Sequence, residues 1–186
     1  MIQIKIIYWG PAEAGKTTSL MRIFDAFPGH RADDLFAVQT TEGRTLWNEY
    51  LPLQFDLPTN NGSPLTATVH LSAVTGQERF LNTREFAASS ADGVIFVADC
   101  RKDYVMATKR SYEELVAFMP KSVPIIVQAN FQDMHDSIMV HDLDKLLSKG
   151  EPVKRYIKIL PTVATSGQNV STAFLELLLN ILQVLF

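Results

Sequence analysis

The chain is nearly devoid of cysteine: Cys100 is the only one in 186 residues. No disulfide can form within one chain, which excludes the stapled scaffolds of small secreted domains and fits a reducing cytosol. Cys100 follows an apolar strand-like run, where a small packed residue is expected rather than a nucleophile. Long hydrophobic runs are also missing, so no transmembrane helix is expected. The opening MIQIKIIYW lacks the apolar core and small-residue cleavage site of a signal peptide. Ile2 stands where myristoylation needs glycine, and the tail ILQVLF offers no cysteine for prenylation, so no lipid anchor is expected. Lys and Arg total 17 against 20 Asp and Glu, a net charge of −3. With no basic run to offset that balance, nucleic-acid binding is not expected. Internal repeats and low-complexity segments are absent.

What is present suits one domain spanning residues 1–186, with 47% hydrophobic residues to form its core. β-rich apolar runs alternate with helical patterns, the mark of an α/β sheet. Strands are expected over residues 2–9, 45–57, 66–74, 93–99, 123–130 and 156–165. Helices are expected over 16–27, 78–89, 103–119, 138–149 and 170–185. The runs GVIFVAD and VPIIVQAN are almost continuously apolar, as strands covered on both faces should be. Pro52 removes a ladder donor and marks the second strand as an edge. Asn61-Gly62 signals a turn to the third, so that pair should run antiparallel in an otherwise parallel sheet.

The strongest motif is GPAEAGKT, residues 10–17, which satisfies G-x-x-x-x-G-K-[ST] between an expected strand and an expected helix. Gly10 and Gly15 allow the backbone to turn its N–H groups inward onto a phosphate. The helix that follows adds the positive end of its dipole. Lys16 would reach the β- and γ-phosphates, and the Thr17 hydroxyl could ligate Mg²⁺.

Two further stretches address the base. NFQD, residues 130–133, directly follows an apolar strand. One carboxylate, that of Asp133, can accept both the N1–H and the N2 amine of guanine. Adenine lacks both donors, so a buried Asp133 would reject it. NFQD resembles the N-K-x-D box of Ras-like small GTPases, with Phe131 in place of lysine. Asn130 would tie this loop to the phosphate loop. The absent lysine normally lays its stem along base and ribose; Phe131 replaces that packing but not the ammonium. VATSGQNV, residues 163–170, occupies the slot of the S-A-K loop, where the Ala164 N–H would meet guanine O6. In this order the boxes resemble the Ras superfamily. RTLWNEYLPL and VTGQ are closer to the MglA class of prokaryotic small GTPases, which shares the absence of an aspartate at the position of Ala73.

The resemblance implies a Ras-like G domain, a P-loop NTPase fold with a mixed six-stranded sheet and helices on both faces. It implies GTP or GDP and Mg²⁺ as ligands. Nucleotide contacts are carried onto Gly10, Glu13, Ala14, Gly15, Lys16, Thr17, Thr18, Gly76, Asn130, Phe131, Asp133, Ala164 and Thr165. It further implies a monomeric cytoplasmic protein, with a Roadblock-fold, MglB-like activator as partner. Within LSAVTGQERF, residues 71–80, Gln77 matches the glutamine that orients attacking water, and Gly76 offers its N–H to the γ-phosphate. Arg44 matches an intrinsic arginine finger and Lys16 completes the catalytic set. Thr45 matches the threonine that closes on Mg²⁺, with Thr40 and Thr41 as rivals. Glu49 is a candidate substitute for the acid missing at Ala73, set against a plain solvent-facing charge. Ala12 replaces a common glycine and would crowd the γ-phosphate; Glu13 is read as pointing outward. The on-state would be read through residues 44–55 and 76–90.

Three readings follow: a slow GTPase switch, a nucleotide-binding scaffold without turnover, and an ATP-using kinase. The last would usually need a lid with catalytic arginines, and no such segment is visible. The four histidines (His30, His70, His135, His141) are scattered, and Asp136 or Asp142 is better placed as a helix cap than as a metal ligand. Trp9 and Trp47 are expected to be packing residues. The apolar last turn of the terminal helix leaves room for a partner.

Overall fold

Strongly alternating or continuous apolar segments become strands wherever they can be covered, and here six are. A computed structural model describes residues 1–34, 49–57, 65–74, 88–149 and 154–185. The strands are β1 (Ile2–Trp9), β2 (Glu49–Leu57), β3 (Leu65–Ala73), β4 (Gly93–Asp99), β5 (Ile125–Asn130) and β6 (Lys158–Pro161). Four helices lie among the described residues: α1 (Lys16–Ala26), α2 (Val105–Phe118), α3 (Val140–Ser148) and α4 (Val170–Leu185).

The sheet order is β2-β3-β1-β4-β5-β6. β2 runs antiparallel to β3, and all other pairs are parallel. The mixed sheet inferred from the sequence is therefore the one observed. Pro52 sits on the edge strand as expected. Its carbonyl turns away from β3 and accepts from the Ala32 N–H at 3.1 Å. Arg31 pairs with Leu53 as an isolated antiparallel bridge. Within a strand, the N and O of one residue point the same way, so the proline nitrogen costs the ladder nothing.

Two apolar cores flank the sheet, which is why β4 and β5 are buried along their whole length. On one face α1 and α4 cover Ile4, Ile6, Tyr8, Ile95 and Ile126, with Leu20, Ile23, Phe174, Leu177 and Ile181 supplied by the helices. On the other, α2 and α3 bring Tyr112, Leu115, Leu143 and Leu147 against Trp9, Phe96 and Val127. Trp9 is a packing residue as expected, and its Nε1–H donates to the Ser111 carbonyl at 3.0 Å. Trp47 and the Asn61-Gly62 turn lie outside the described residues, as does most of the 78–89 helix.

Some boundaries differ from expectation. The last strand is four residues rather than ten, because the chain leaves the sheet at Pro161 to build a loop. α3 is capped by Met139 with no side-chain cap bond, not by Asp136 or Asp142. Asp142 instead occupies the first turn, where its charge complements the helix dipole.

Phe174 is fully buried, with ring centroids 5.6 Å from Phe27 and 6.3 Å from Phe55. Phe174→Ala should cost about 3–5 kcal/mol, read as a lowered midpoint in guanidinium unfolding. Cys100 is also fully buried, and that burial, helped by the Asp99 charge, pushes its thiol up to about 12. The thiolate is the reactive form, so at about pH 8 the folded protein should resist iodoacetamide and alkylate only on unfolding, as followed by mass.

Candidate functional site

The loop from Gly10 to Gly15 joins the end of β1 to the start of α1. Its two glycines are dictated by space. A Cβ on Gly10 would be driven into the Val97 carbonyl oxygen. Gly15 caps α1 with a left-handed φ of 101°, and a Cβ there would collide with Asn130 Nδ2. α1 has neither a side-chain cap nor an acidic residue in its first turn. Its first N–H groups have no intrahelical acceptor, which makes this terminus an anion cradle. Lys16 is 92% buried by its neighbours (8% exposed), and its ammonium donates to the carbonyls of Gly10 at 3.0 Å and Pro11 at 2.6 Å. The charge is thus held across the loop. Ala12 and Glu13 are exposed, and Glu13 adopts a left-handed φ of 63°.

Asn130 links this loop to the other side of the site. Its Nδ2 donates to the Ala14 carbonyl at 2.8 Å, and its Oδ1 accepts from the Ala164 N–H at 2.9 Å. The tether inferred from the sequence is therefore present. It has a consequence that the sequence did not reveal. The Ala164 N–H, expected to meet guanine O6, is already used by Asn130. Thr165 follows in the same loop, where Arg22 of α1 donates to its carbonyl.

A cleft of about 380 Å³ opens between these parts, lined by Glu13, Gly15 and Thr18 from the phosphate loop and α1 and by Asn130, Phe131 and Asp133 from the segment after β5. Ala164 and Thr165 form part of its wall. Glu13, read from sequence as pointing outward, is exposed and also borders the cleft. Asp133 is exposed rather than buried, and its carboxylate makes no hydrogen bond among the described residues. Phe131 holds a left-handed φ of 66°, and its carbonyl accepts from Ser137 Oγ at 2.5 Å and the Met134 N–H at 3.0 Å.

Of the cleft residues that sequence reasoning left out of the site, Arg101, Met134 and Val163, the charged one is Arg101. It stands two positions beyond Asp99, the acid that ends β4. Asp99 is fully buried and takes a bidentate pair from Arg101. That hydrogen bond raises the guanidinium above its ordinary pKa against partial burial, and the charges of Tyr104 and Glu13 add to it. The available signal was an acid closing an apolar strand with an arginine two residues on.

Thr40, Thr41, Arg44, Thr45, Gly76 and Gln77 lie outside the described residues. Ala73 is buried at the end of β3, and the register places Glu49 opposite it across the β2–β3 pair. The described residues fit a guanine nucleotide: a glycine cradle closed to any Cβ, a lysine across it, and an unpaired carboxylate in the adjoining cleft. For Mg²⁺ they offer one hydroxyl, that of Thr17, while position 73 offers only a methyl.

A strand–loop–helix phosphate cradle joined through an asparagine to an acidic base loop defines the G domain of a small GTPase. The model of the ADP-ribosylation factor family matches residues 66–181, and the chain belongs to that family, within the Ras superfamily of GTP-binding switches. It is 29% identical to the mutual gliding-motility protein MglA of Myxococcus xanthus (strain DK1622), over 87% of this chain and 83% of that protein. It is 27% identical to ADP-ribosylation factor-like protein 4A of Homo sapiens, over 78% of this chain. That match spans 66% of the human protein, slightly under two thirds of its length.

Asn130→Ala would leave the Ala14 carbonyl and the Ala164 N–H buried and unpaired. Each such group costs about 1–3 kcal/mol, so the variant should melt at lower temperature and release GDP faster than wild type in a stopped-flow chase.

Proposed function

We propose that this chain is a guanine-nucleotide switch with slow intrinsic GTPase activity. The observation that carries this reading is the Asn130 tether, which fixes the phosphate loop and the Asp133 loop in one cleft. In that cleft Lys16 and the first turn of α1 hold the phosphates, and Thr18 lies at the same end. Asp133 selects guanine by accepting two donors that adenine lacks. With the Ala164 amide taken, the Thr165 N–H is the donor for O6. Thr17 and Thr45 are the oxygen donors for Mg²⁺, with Thr40 and Thr41 as rivals for the latter role. When bound, that ion neutralises charge on the β- and γ-phosphate oxygens.

Hydrolysis in this reading depends on positioning. Gln77 holds the attacking water, Gly76 donates to the γ-phosphate, and Arg44 supplies positive charge from the same chain, an effect worth about 10³–10⁵ in rate where such fingers act. Glu49, opposite the apolar Ala73, takes the part of the missing acid. Ala12 narrows the approach of Gln77 and Arg44 and slows the step. The likeness to MglA supports a Roadblock-fold activator of the MglB type as partner, and a cytoplasmic monomer as the working form. No helix among the described residues is long and apolar enough to cross a membrane.

A second reading, a guanine-nucleotide scaffold without turnover, is favoured by the buried methyl of Ala73 in place of an acid on β3. Phosphate release that disappears in Gln77→Ala would eliminate the scaffold, whereas release unchanged by that substitution would eliminate the assigned catalytic role.

Binding is tested by competition for labelled GDP. GTP and GDP should displace it and ATP should not; equal displacement by ATP would end the guanine reading. Asp133→Asn replaces one acceptor by a donor, and should lower GDP affinity by at least about tenfold while improving the fit to xanthosine diphosphate, whose C2 carries an oxygen. Ala12→Gly should raise the single-turnover hydrolysis rate; an equal or lower rate would remove Ala12 as the brake.

A further inference from the structure

Arg101 belongs to none of the nucleotide motifs, yet it lines the nucleotide cleft. Its guanidinium carbon lies 4.1 Å from the ring centroid of Tyr104 and 4.2 Å from that of Phe131. Asp99 accepts from its Nε at 3.0 Å and its Nη2 at 2.6 Å. The anchor is itself fixed, since the Asp99 N–H and carbonyl both bond Thr108 Oγ1, at 3.0 and 2.9 Å. Two rings and one carboxylate therefore hold the guanidinium plane, and Nη1 is the edge with no hydrogen-bond partner among the described residues.

A buried acid paired to a cation two residues away is weak evidence for stability, because desolvating the pair offsets its attraction. The same arrangement is well suited to presenting a rigid, charged donor edge. Its place in the cleft is specific. Arg101 stacks on Phe131 at the base end, and the charge of Glu13, from the phosphate end, acts on it. It therefore borders both the Phe131 loop and the phosphate loop, where a nucleotide with its base at Asp133 and its phosphates at the start of α1 would place its sugar.

We propose that Arg101 is the cation of the nucleoside half of the site, donating through Nη1 to the ribose oxygens of a bound guanine ribonucleotide. This rests on the guanine-nucleotide reading above. Phe131 and Arg101 together then perform two tasks from two strand ends. The phenyl ring supplies apolar surface, and the guanidinium supplies the charge that position 131 does not carry.

The test is a double-substitution cycle, with dissociation constants for unlabelled GDP measured by calorimetry on the full chain. Arg101→Gln should weaken GDP binding about tenfold, the scale of a lost charged hydrogen bond. Phe131→Lys should act with opposite signs in the two backgrounds. Beside Arg101 it places like charges together and weakens binding; in the Arg101→Gln protein it restores a cation and recovers affinity to within about threefold of wild type. An arginine serving only to neutralise Asp99 would give no such reversal. Equal GDP affinity in Arg101→Gln and wild type, or the same effect of Phe131→Lys in both backgrounds, overturns the proposal. If Arg101→Gln does not fold, Arg101→Lys keeps a charge on Asp99. It should still bind GDP several-fold more weakly, since one ammonium cannot serve Asp99 and ribose together; wild-type affinity in that variant overturns the proposal equally. Failure of the wild-type protein to take up GDP would instead sink the guanine-nucleotide reading, and the role of Arg101 with it.

Discussion

The site depends on one amide side chain. Asn130, at the end of β5, bonds the phosphate loop through Ala14 and the last loop through Ala164. These contacts join three strand ends, with Ala14 lying 116 residues before Asn130 in the sequence and Ala164 lying 34 after it. They also explain Gly15, whose missing Cβ leaves room for the asparagine amide. The phosphate cradle and the base cleft are therefore tied together through one side chain. A nucleotide binding there meets both ends at a fixed distance, which reduces the ordering cost of association.

Much of this was legible in the chain. GPAEAGKT announces its own loop because its glycines answer to steric demands that no other residue meets. Pro52 marked an edge strand because a missing donor is harmless only where it faces away from the ladder. The full burial of β4 and β5 followed from their unbroken apolar runs. The less legible features are those set by tertiary partners. That Ala164 spends its amide on Asn130 is set by how two loops meet in space. That Glu13 lines the cleft depends on its left-handed backbone, which its residue type does not favour. Arg101 was hard to read because the rings of Tyr104 and Phe131 are brought to it by the fold, and only its spacing from Asp99 gave a signal. The cap of α3 misled for a different reason: two aspartates flank the helix start, and the chain enters through Met139 instead.

Binding and turnover, as proposed, draw on different parts of the chain. The binding half is formed by β1, α1, β5 and the loop after β6, each anchored in the two cores. The residues proposed for turnover, Arg44, Thr45 and Gln77, fall instead in stretches that adjoin β2 and β3 in the sequence. Between the halves lies the Ala73–Glu49 pair of the sheet register. An acid supplied from β2 rather than β3 would couple catalysis to the pairing of an edge strand, whereas an aspartate on β3 would not.

The bridge between Arg31 and Leu53 has a consequence for how this domain meets other proteins. It covers the middle of the β2 edge, where Arg31 is itself anchored by its Nε–H to the Phe24 carbonyl at 2.9 Å and by stacking 3.4 Å from the Phe24 ring. The opposite edge, β6, is four residues long and ends in proline. Both margins of the sheet are thereby blunted against main-chain pairing, the usual route to strand donation and fibre growth. Recognition must then pass through side chains and loops, so a partner that docks here reads residue identity rather than bare backbone.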